Sequence, residues 1–268
     1  MSGNGLDPSI RDTITQLERR AADAWPSSVA EDRDGWRLRA TPRVPTRKRS
    51  NSAVALREQS LERADDIISS TTDFYGRLSL PSLIQITPLS QTLDGELEAR
   101  RWSKQSPTLV ESIGLATLLD RTSDRSYEVR GTASVNSEWL AAWEQIFDLA
   151  DAQEQADEIM ARIEPEALYT SVFANGVTVG VALGVLDPPW VGIFGMGTTP
   201  CHRRKGAGSA ALGAIGKWAS QRGAENCYLQ VEEDNAGARA FYEGIGFTSL
   251  YGYHYRVAPP AGCKAISS

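Results

Sequence analysis

A short basic segment rich in glycine has the residue types of an anion-binding site. It reads HRRKGAGS, with Arg203, Arg204 and Lys205 directly before Gly206 and Gly208. An alanine-rich stretch of helical character follows, so the glycines stand where a helix begins. The first N–H groups of a helix have no carbonyl partner, and the helix dipole adds partial positive charge there. Glycines allow close approach to these groups, so the segment is predicted to bind a phosphate-bearing ligand.

The spacing of this segment excludes two common nucleotide-binding motifs. A Walker loop needs Lys and then Ser or Thr after its second glycine, and the dinucleotide fingerprint needs a third glycine. What remains is an Arg, two residues, a Gly, one residue and a Gly, at Arg203, Gly206 and Gly208. A second segment, LQVEEDNAGARAFYEGIGF, places Asn235 and Tyr242 after a strand of buried character.

These two segments together resemble the GNAT superfamily of acyl-CoA-dependent N-acetyltransferases. That family has the same Arg and Gly spacing in a pyrophosphate loop between a strand and a helix, and its second signature matches the segment from Leu229 to Phe247. The matched region runs from about Tyr127 to Arg256. The resemblance implies an N-acetyltransferase that moves an acetyl group from acetyl-CoA directly to a primary amine of a small metabolite or peptide.

The resemblance also assigns roles to residues. It implies that acetyl-CoA lies in a splay between the strand ending at Thr198 and the strand at Tyr228–Val231, with the backbone of Met196 and Thr198 bonding the pantetheine and acetyl groups. Tyr242 is expected to protonate the leaving thiolate as a general acid, and Asn235 to hold the pantetheine arm. The implied cofactor-binding residues are Met196, Thr198, Arg203, Arg204, Lys205, Gly206, Ala207, Gly208, Ser209 and Asn235.

The general base is not defined by the sequence. Members of the family often carry a Glu on the strand before the pyrophosphate loop, whereas that strand reads WVGIFGMGT here. Glu232 and Glu233 are candidates, although strand-end carboxylates are more often surface groups. A water relay or a carboxylate elsewhere is the alternative. Gly195 and Gly197 are expected where this strand bulges and parts from its neighbour.

Composition limits the other functions. The chain has 268 residues, 41% of them hydrophobic, which is enough for a substantial core. The net charge of −6 argues against nucleic acid or an anionic membrane as partner and suits an amine-bearing ligand. Cys201, Cys227 and Cys263 predict no disulfide framework, no metal site is predicted, and Cys201 is not expected to be a nucleophile. With no signal or membrane-spanning segment, a cytoplasmic location is expected.

The pattern along the chain predicts an α/β (α+β) fold with a mixed twisted sheet and flanking helices. A polar run, LDRTSDRSYEVRG, places a boundary so that residues 1–125 form a smaller α/β accessory domain and residues 126–268 the GNAT domain. The accessory domain is interpreted as a degenerate GNAT copy without a pyrophosphate loop, or as a small β-barrel-like module. Predicted helices include 7–26, 61–75, 90–105, 136–165 and one starting at Gly206.

Two further functions stay open at this point. One is a non-catalytic acyl-CoA sensor that keeps the pyrophosphate corner without turnover. The other is a binding module in which a basic loop recruits a phosphorylated or nucleic-acid partner; its cations are Arg43, Arg47, Lys48 and Arg49. The oligomeric state and the length of the acyl chain are not predicted.

Overall fold

The computed structural model describes residues 6–122 and 127–260. Helices and strands alternate along the chain with parallel and antiparallel strand pairs, so the predicted α/β class with mixed sheet is confirmed. The helices are α1 (Pro8–Ala24), α2 (Ala64–Arg77), α3 (Asp94–Ala99), α4 (Leu115–Arg121), α5 (Ser137–Phe147), α6 (Ala152–Glu158), α7 (Ala207–Ser220) and α8 (Ala236–Ile245). The strands are β1 (Val29–Arg33), β2 (Trp36–Ala40), β3 (Ala53–Ala55), β4 (Leu83–Ile86), β5 (Ser103–Gly114), β6 (Glu128–Thr132), β7 (Ala167–Ala174), β8 (Val177–Asp187), β9 (Trp190–Thr198), β10 (Asn226–Glu232) and β11 (Thr248–Val257).

The chain forms two compact units. Unit 1 contains the described residues up to Ala22, Ser27–Thr108 and the described residues from Tyr251 on, and unit 2 contains Asp23–Pro26 and Leu109–Leu250. The predicted boundary between residues 125 and 126 lies outside the described residues. The compact units divide within β5, between Thr108 and Leu109, and again within β11, between Leu250 and Tyr251.

Unit 1 orders its strands β1-β2-β3-β4-β11, antiparallel except for the parallel pair β3 and β4. The strand β1 was not predicted, because it contains three charged residues, Glu31, Asp32 and Arg33, and is largely exposed. The signal for it was the Asp34-Gly35 pair, since both residues have positive φ, 53° and 82°, and join β1 to β2 in a tight hairpin.

The helix predicted over 90–105 is wrong in its second half, because α3 ends early and β5 begins at Ser103. Arg101 adopts a φ of 62°, and the Trp102 N–H donates to the Leu97 carbonyl at 2.9 Å. This left-handed residue with its backward hydrogen bond closes the helix end and turns the Trp102 ring into the interior, so a residue that fits a helical face instead terminates the helix.

The basic loop of unit 1 is partly turned inward. Lys48 and Arg49 are half-buried, and the Lys48 Nζ donates to the Ser106 Oγ at 2.9 Å. Arg49 interacts electrostatically with Glu18, a buried residue of α1. These cations therefore satisfy groups of unit 1, which weakens the hypothesis that the loop is a docking surface.

Unit 2 orders its strands β5-β10-β9-β8-β7-β6, with β6 to β9 antiparallel and β9 parallel to β10. Its apolar core lies under α7, where Ala211, Leu212 and Ile215 are at most 2% exposed. The helix α4 was not predicted, because only Leu115 and Leu118 of its short sequence are buried. Within the part of the chain that the structure describes, no helix is both long and apolar enough to cross a membrane.

Candidate active site

The strands β9 and β10 part from each other at their carboxyl ends. Their parallel pairing runs from Trp190 opposite Asn226 to Ile193 opposite Leu229, whereas β9 continues to Thr198. On its other side β9 stays paired with β8 as far as Thr198. The last residues of β9 therefore form no hydrogen-bonded ladder with β10 along one edge. This gap between the two strands is the splay that the family resemblance implied.

A bulge in β9 coincides with this parting. Gly195 has a φ of 52°, a backbone conformation that favours glycine, and the register with β8 shifts between Val181 and Leu183. The extra residue increases the local twist and bends β9 away from β10. This confirms the expected bulge.

The open edge of β9 presents the backbone of Met196 and Thr198. The N–H of Thr199 donates to the Val179 carbonyl of β8 at 2.9 Å. Because the N–H and C=O groups of successive strand residues point to opposite edges, those of Gly197 also face β8 and those of Met196 and Thr198 face the splay. An extended ligand in the splay can therefore bond to Met196 and Thr198 as an added strand does.

The start of α7 lies just beyond the end of β9 and leaves donors uncapped. Gly206 is the N-cap residue with a φ of 89°, and no side chain caps the helix. The first helical hydrogen bond runs from the Ala210 N–H to the Gly206 carbonyl, so the N–H groups of Ala207, Gly208 and Ser209 precede the helical ladder. These three amides are the donors that an oxyanion at this helix start would use.

The electrostatics of this corner favour an anion. Arg203, Arg204 and Lys205 are all exposed, and the first turn of α7 contains no acidic residue. Arg204 has a φ of 59° and Gly206 has a φ of 89°, so two residues just before α7 adopt the left-handed backbone conformation. The exposed cations and the partial positive charge of the helix start therefore both attract an anion.

Tyr242 of α8 lies against the end of β9. Its side chain is 9% exposed, and its hydroxyl donates a hydrogen bond to the Met196 Sδ at 3.8 Å. A Cβ at position 208 would lie 3.0 Å from the Phe241 ring and 3.1 Å from Met196 Cε, so Gly208 is in close contact with both. The fold thus brings Met196, Gly208 and Tyr242 together.

Burial raises the pKa of the Tyr242 phenol well above its usual range, and interactions with Cys227 and Glu111 raise it further. The phenol is therefore protonated at neutral pH and can donate a proton. At the other end of α8, the Asn235 Oδ1 accepts a hydrogen bond from the Ala238 N–H at 3.1 Å and caps the helix. This cap uses the amide oxygen of Asn235 and leaves its NH₂ group for another acceptor.

Comparison with known proteins identifies the family. A family model described as "Probable histone acetyltransferase Rv0428c C-terminal" matches residues 12–256. The chain belongs to this family, within the GNAT superfamily. It is 27% identical over 250 residues to YobR of Bacillus subtilis strain 168, described as an uncharacterized N-acetyltransferase, and the match covers 92% of this chain and 99% of YobR.

Solved structures share the fold of this GNAT protein. A GCN5-related N-acetyltransferase from Kribbella flavida superposes with a TM-score of 0.65 at 15% identity, over 95% of this chain and 96% of the other. A tandem GNAT protein from the clavulanic acid biosynthesis pathway superposes with a TM-score of 0.57 at 12% identity, over 78% and 76%. The family match begins far before Tyr127, so the resemblance extends beyond the half of the chain on which the sequence motifs lie. The protein is an acyltransferase, a GNAT-type N-acetyltransferase.

The two carboxylates that the sequence offered as candidate bases lie at the surface, as strand-end carboxylates more often do. Glu232 and Glu233 are exposed at the end of β10. The sequence analysis missed Glu111 of β5, which is 8% exposed and whose Oε2 has no hydrogen-bond partner among the described residues. Burial raises the pKa of Glu111; Arg239 opposes this shift and Glu243 adds to it. The signal was an acidic residue between Leu109 and Ile113 on the inward face of a strand.

The opposite face of the β9 end is lined by aromatic side chains of α5. A Cβ at Gly195 would lie 3.1 Å from the Trp143 indole nitrogen, and one at Gly197 would lie 2.7 Å from the Phe147 ring. Trp139 and Trp143 stack with ring centroids 5.5 Å apart and are buried, whereas Phe147 is 41% exposed. The tip of β9 thus lies between α8 on one side and an aromatic surface on the other.

Two cysteines and one histidine of the described residues lie near this corner. Cys201 is exposed, and the His202 Nδ1 lies 3.1 Å from the Thr199 Oγ1. Cys227 is buried, which raises the pKa of its thiol, and Cys263 lies outside the described residues. Over residues 6–122 and 127–260, no group of three His, Cys, Asp or Glu side chains is arranged to hold a metal ion.

Proposed function

We propose that this GNAT protein transfers an acetyl group from acetyl-CoA to a primary amine by direct transfer, without a covalent enzyme intermediate. The observation that carries the proposal is the parting of β9 and β10 beside an uncapped helix start and a buried, protonated tyrosine. The acceptor is a small metabolite or a peptide amine, in keeping with the net charge of −6.

The residues at the corner fit the parts of coenzyme A. The N–H groups of residues 207–209 would hold the diphosphate, and Arg203, Arg204 and Lys205 would supply positive charge around it. The backbone of Met196 and Thr198 would bond the pantetheine arm along the open edge of β9. The NH₂ group of Asn235 would donate to the same arm.

The side chains around the splay would serve the transfer as follows. Bound acetyl-CoA supplies the activated acetyl group. The amine nitrogen forms a bond to the acetyl carbonyl carbon, the C–S bond breaks, and Tyr242 gives its proton to the leaving sulfur. We propose that the amine arrives over the α5 surface, where Phe147 is exposed next to Gly197. The proton lost by the amine passes to water or to a nearby carboxylate.

Part of the proposal concerns the two regions of the chain and the location of the protein. Residues 126–268 carry the proposed cofactor site, and the family match from residue 12 supports a GNAT origin for the first part of the chain as well. We keep the degenerate-copy interpretation of residues 1–125 as a proposal. A cytoplasmic location, with no nucleic-acid or membrane partner, likewise remains a proposal.

Two measurements on the whole protein test the function. Isothermal titration with coenzyme A should give saturable binding that weakens with salt, because the diphosphate contacts are ionic. A panel of amines and peptides with acetyl-CoA should then contain an acceptor that releases free thiol. Absence of coenzyme A binding would reject the cofactor site, and binding with no thiol release across the panel would favour a sensor.

A further inference from the structure

The buried carboxyl group of Glu111 faces the proposed active site from β5. Successive strand residues alternate between faces, so Leu109, Glu111 and Ile113 share one face. Leu109 and Ile113 pack in the cluster that contains Tyr242 and Phe247. Glu111 therefore points into the interior beneath α8, on the side of the sheet where Tyr242 lies.

This carboxyl group is costly to the fold. Its Oε2 is buried and makes no hydrogen bond with any described residue, and an unsatisfied buried polar atom costs stability. Arg239 acts on Glu111 through its charge and makes no hydrogen bond to Oε2, and its Nη1 donates to the Glu233 carbonyl at 3.2 Å. A Leu of similar size would avoid this cost, so the retained carboxyl group points to a role in function.

The titratable and charged groups that face Glu111 come from two elements. On α8 they are Arg239, Glu243 and Tyr242, and on the neighbouring strand β10 Cys227 lies next to Tyr242. Glu111 and Tyr242 are close enough for the carboxylate charge to disfavour the phenolate. Among the described residues, none of these groups makes a hydrogen bond to the Glu111 Oε2.

We propose that Glu111 returns to Tyr242 the proton that Tyr242 gives to the leaving thiolate. The inference rests on the proposed function. Because no hydrogen bond joins the two groups directly, the proton travels through one intervening water molecule: the carboxyl O–H bond of Glu111 breaks, the water takes that proton and gives one of its own to the phenolate of Tyr242, and solvent then reprotonates the carboxylate. Because burial raises the pKa of Glu111, a larger fraction of it is protonated at a given pH than of an exposed Glu. Glu111 acts through Tyr242 and does not touch the substrate.

The test compares Glu111→Gln, Tyr242→Phe and the double variant, all as the full chain. Gln keeps the shape of Glu but removes the titrating proton. We expect Glu111→Gln to lower kcat by at least about tenfold with unchanged coenzyme A affinity, and to have no additional effect in the Tyr242→Phe background. The decrease of wild-type kcat as pH rises through the Glu111 pKa should be absent in Glu111→Gln, and Glu111→Asp should restore part of the rate.

Stability separates this role from a structural one. Glu111→Gln should unfold at the same or a higher temperature than the wild type, because it replaces a buried carboxyl group that can ionise with an amide of the same shape that stays neutral. The proposal is overturned if Glu111→Gln keeps the wild-type kcat, if its effect multiplies with that of Tyr242→Phe, or if its loss of rate follows a loss of folded protein. If Glu111→Gln does not fold, the kcat of Glu111→Asp and its dependence on pH provide the test instead. A wild-type protein that releases no thiol would instead reject the proposed function.

Discussion

The hydroxyl of Tyr242 donates a hydrogen bond to the sulfur of Met196 at 3.8 Å, and this contact joins α8 to the free end of β9. Gly208 at the start of α7 lies against the same methionine. Two helices that follow one another in the sequence thus meet at the place where β9 and β10 separate. This convergence is the basis of the proposed chemistry, and it makes the following predictions.

Replacing Tyr242 by Phe should lower kcat by about 10²-fold or more while coenzyme A affinity stays the same, because only the proton donor is lost. Steady-state thiol release and calorimetry measure the two quantities. Tyr169→Phe is the matched control: it also removes a buried hydroxyl, whose pKa burial raises to about 12, but on β7. Equal rates for Tyr242→Phe and wild type would show that another group protonates the thiolate.

Replacing Gly206 by Ala should weaken coenzyme A binding, because the residue has a φ of 89° and sets the position of the free amides of α7. A left-handed conformation costs a residue with a side chain about 1 kcal/mol. Gly176→Ala carries the same type of strain, at a φ of 77° with no atom near its added Cβ, in the hairpin between β7 and β8. Both variants should lose similar stability in urea, and only Gly206→Ala should lose affinity; equal affinities would place the diphosphate elsewhere.

Replacing Phe147 by Ala should raise the KM for the amine several-fold and leave coenzyme A affinity unchanged, since its ring covers the α5 side of Gly197. The ring is 41% exposed, so little stability should be lost. Val177→Ala, at a side chain that is 64% exposed, is the control for removing surface apolar area. An unchanged KM in Phe147→Ala would mean that the acceptor does not approach over α5.

Replacing Asp94 by Asn should destabilise the protein by about 2–3 kcal/mol at pH 7, because it removes an acidic partner of the buried Arg256. Burial acts to raise the pKa of Asp94, but hydrogen bonds from Arg256 and His254 outweigh it and lower the pKa below 3.8. The stabilisation is thus present above that pH and is lost as pH falls through the folded-state pKa. The difference between variant and wild type in urea unfolding should shrink at acidic pH.

The control for this prediction is Asp66→Asn. Asp66 pairs with Arg63 at 3.8 Å and its side chain is 74% exposed, so its loss should cost less than about 0.5 kcal/mol. If both variants lose the same stability, or if the Asp94→Asn difference does not depend on pH, then Asp94 does not stabilise the buried cation in the way described.

Local signals in the sequence correctly predicted those features near the start of α7 and the end of β9 that depend on local backbone conformation. The cap at Gly206 and the start of α7 depend on backbone conformations that a few neighbouring residues determine. The bulge at Gly195 belongs to the same class. The roles of the cofactor residues in catalysis remain predictions that the experiments above test.

Contacts between distant parts of the chain were beyond the local signals. The carboxyl group of Glu111 lies near α8 only because β5 is placed next to β10 in the sheet, so the residues around Glu111 in the sequence did not indicate this position. The division of the units within β5 and β11 likewise depends on which strands each end contacts.

The sequence by itself determined the family, the α/β class and the glycine-rich start of α7, because these follow from residue types at fixed spacing and from apolar periodicity. The family resemblance implied the splay between β9 and β10, but only the tertiary structure decided at which residue pair their ladder ends, where the compact units divide, and which buried carboxyl group lies under α8. Those features depend on strand order and register, since pairing between segments far apart in the chain is fixed by packing and not by local preference.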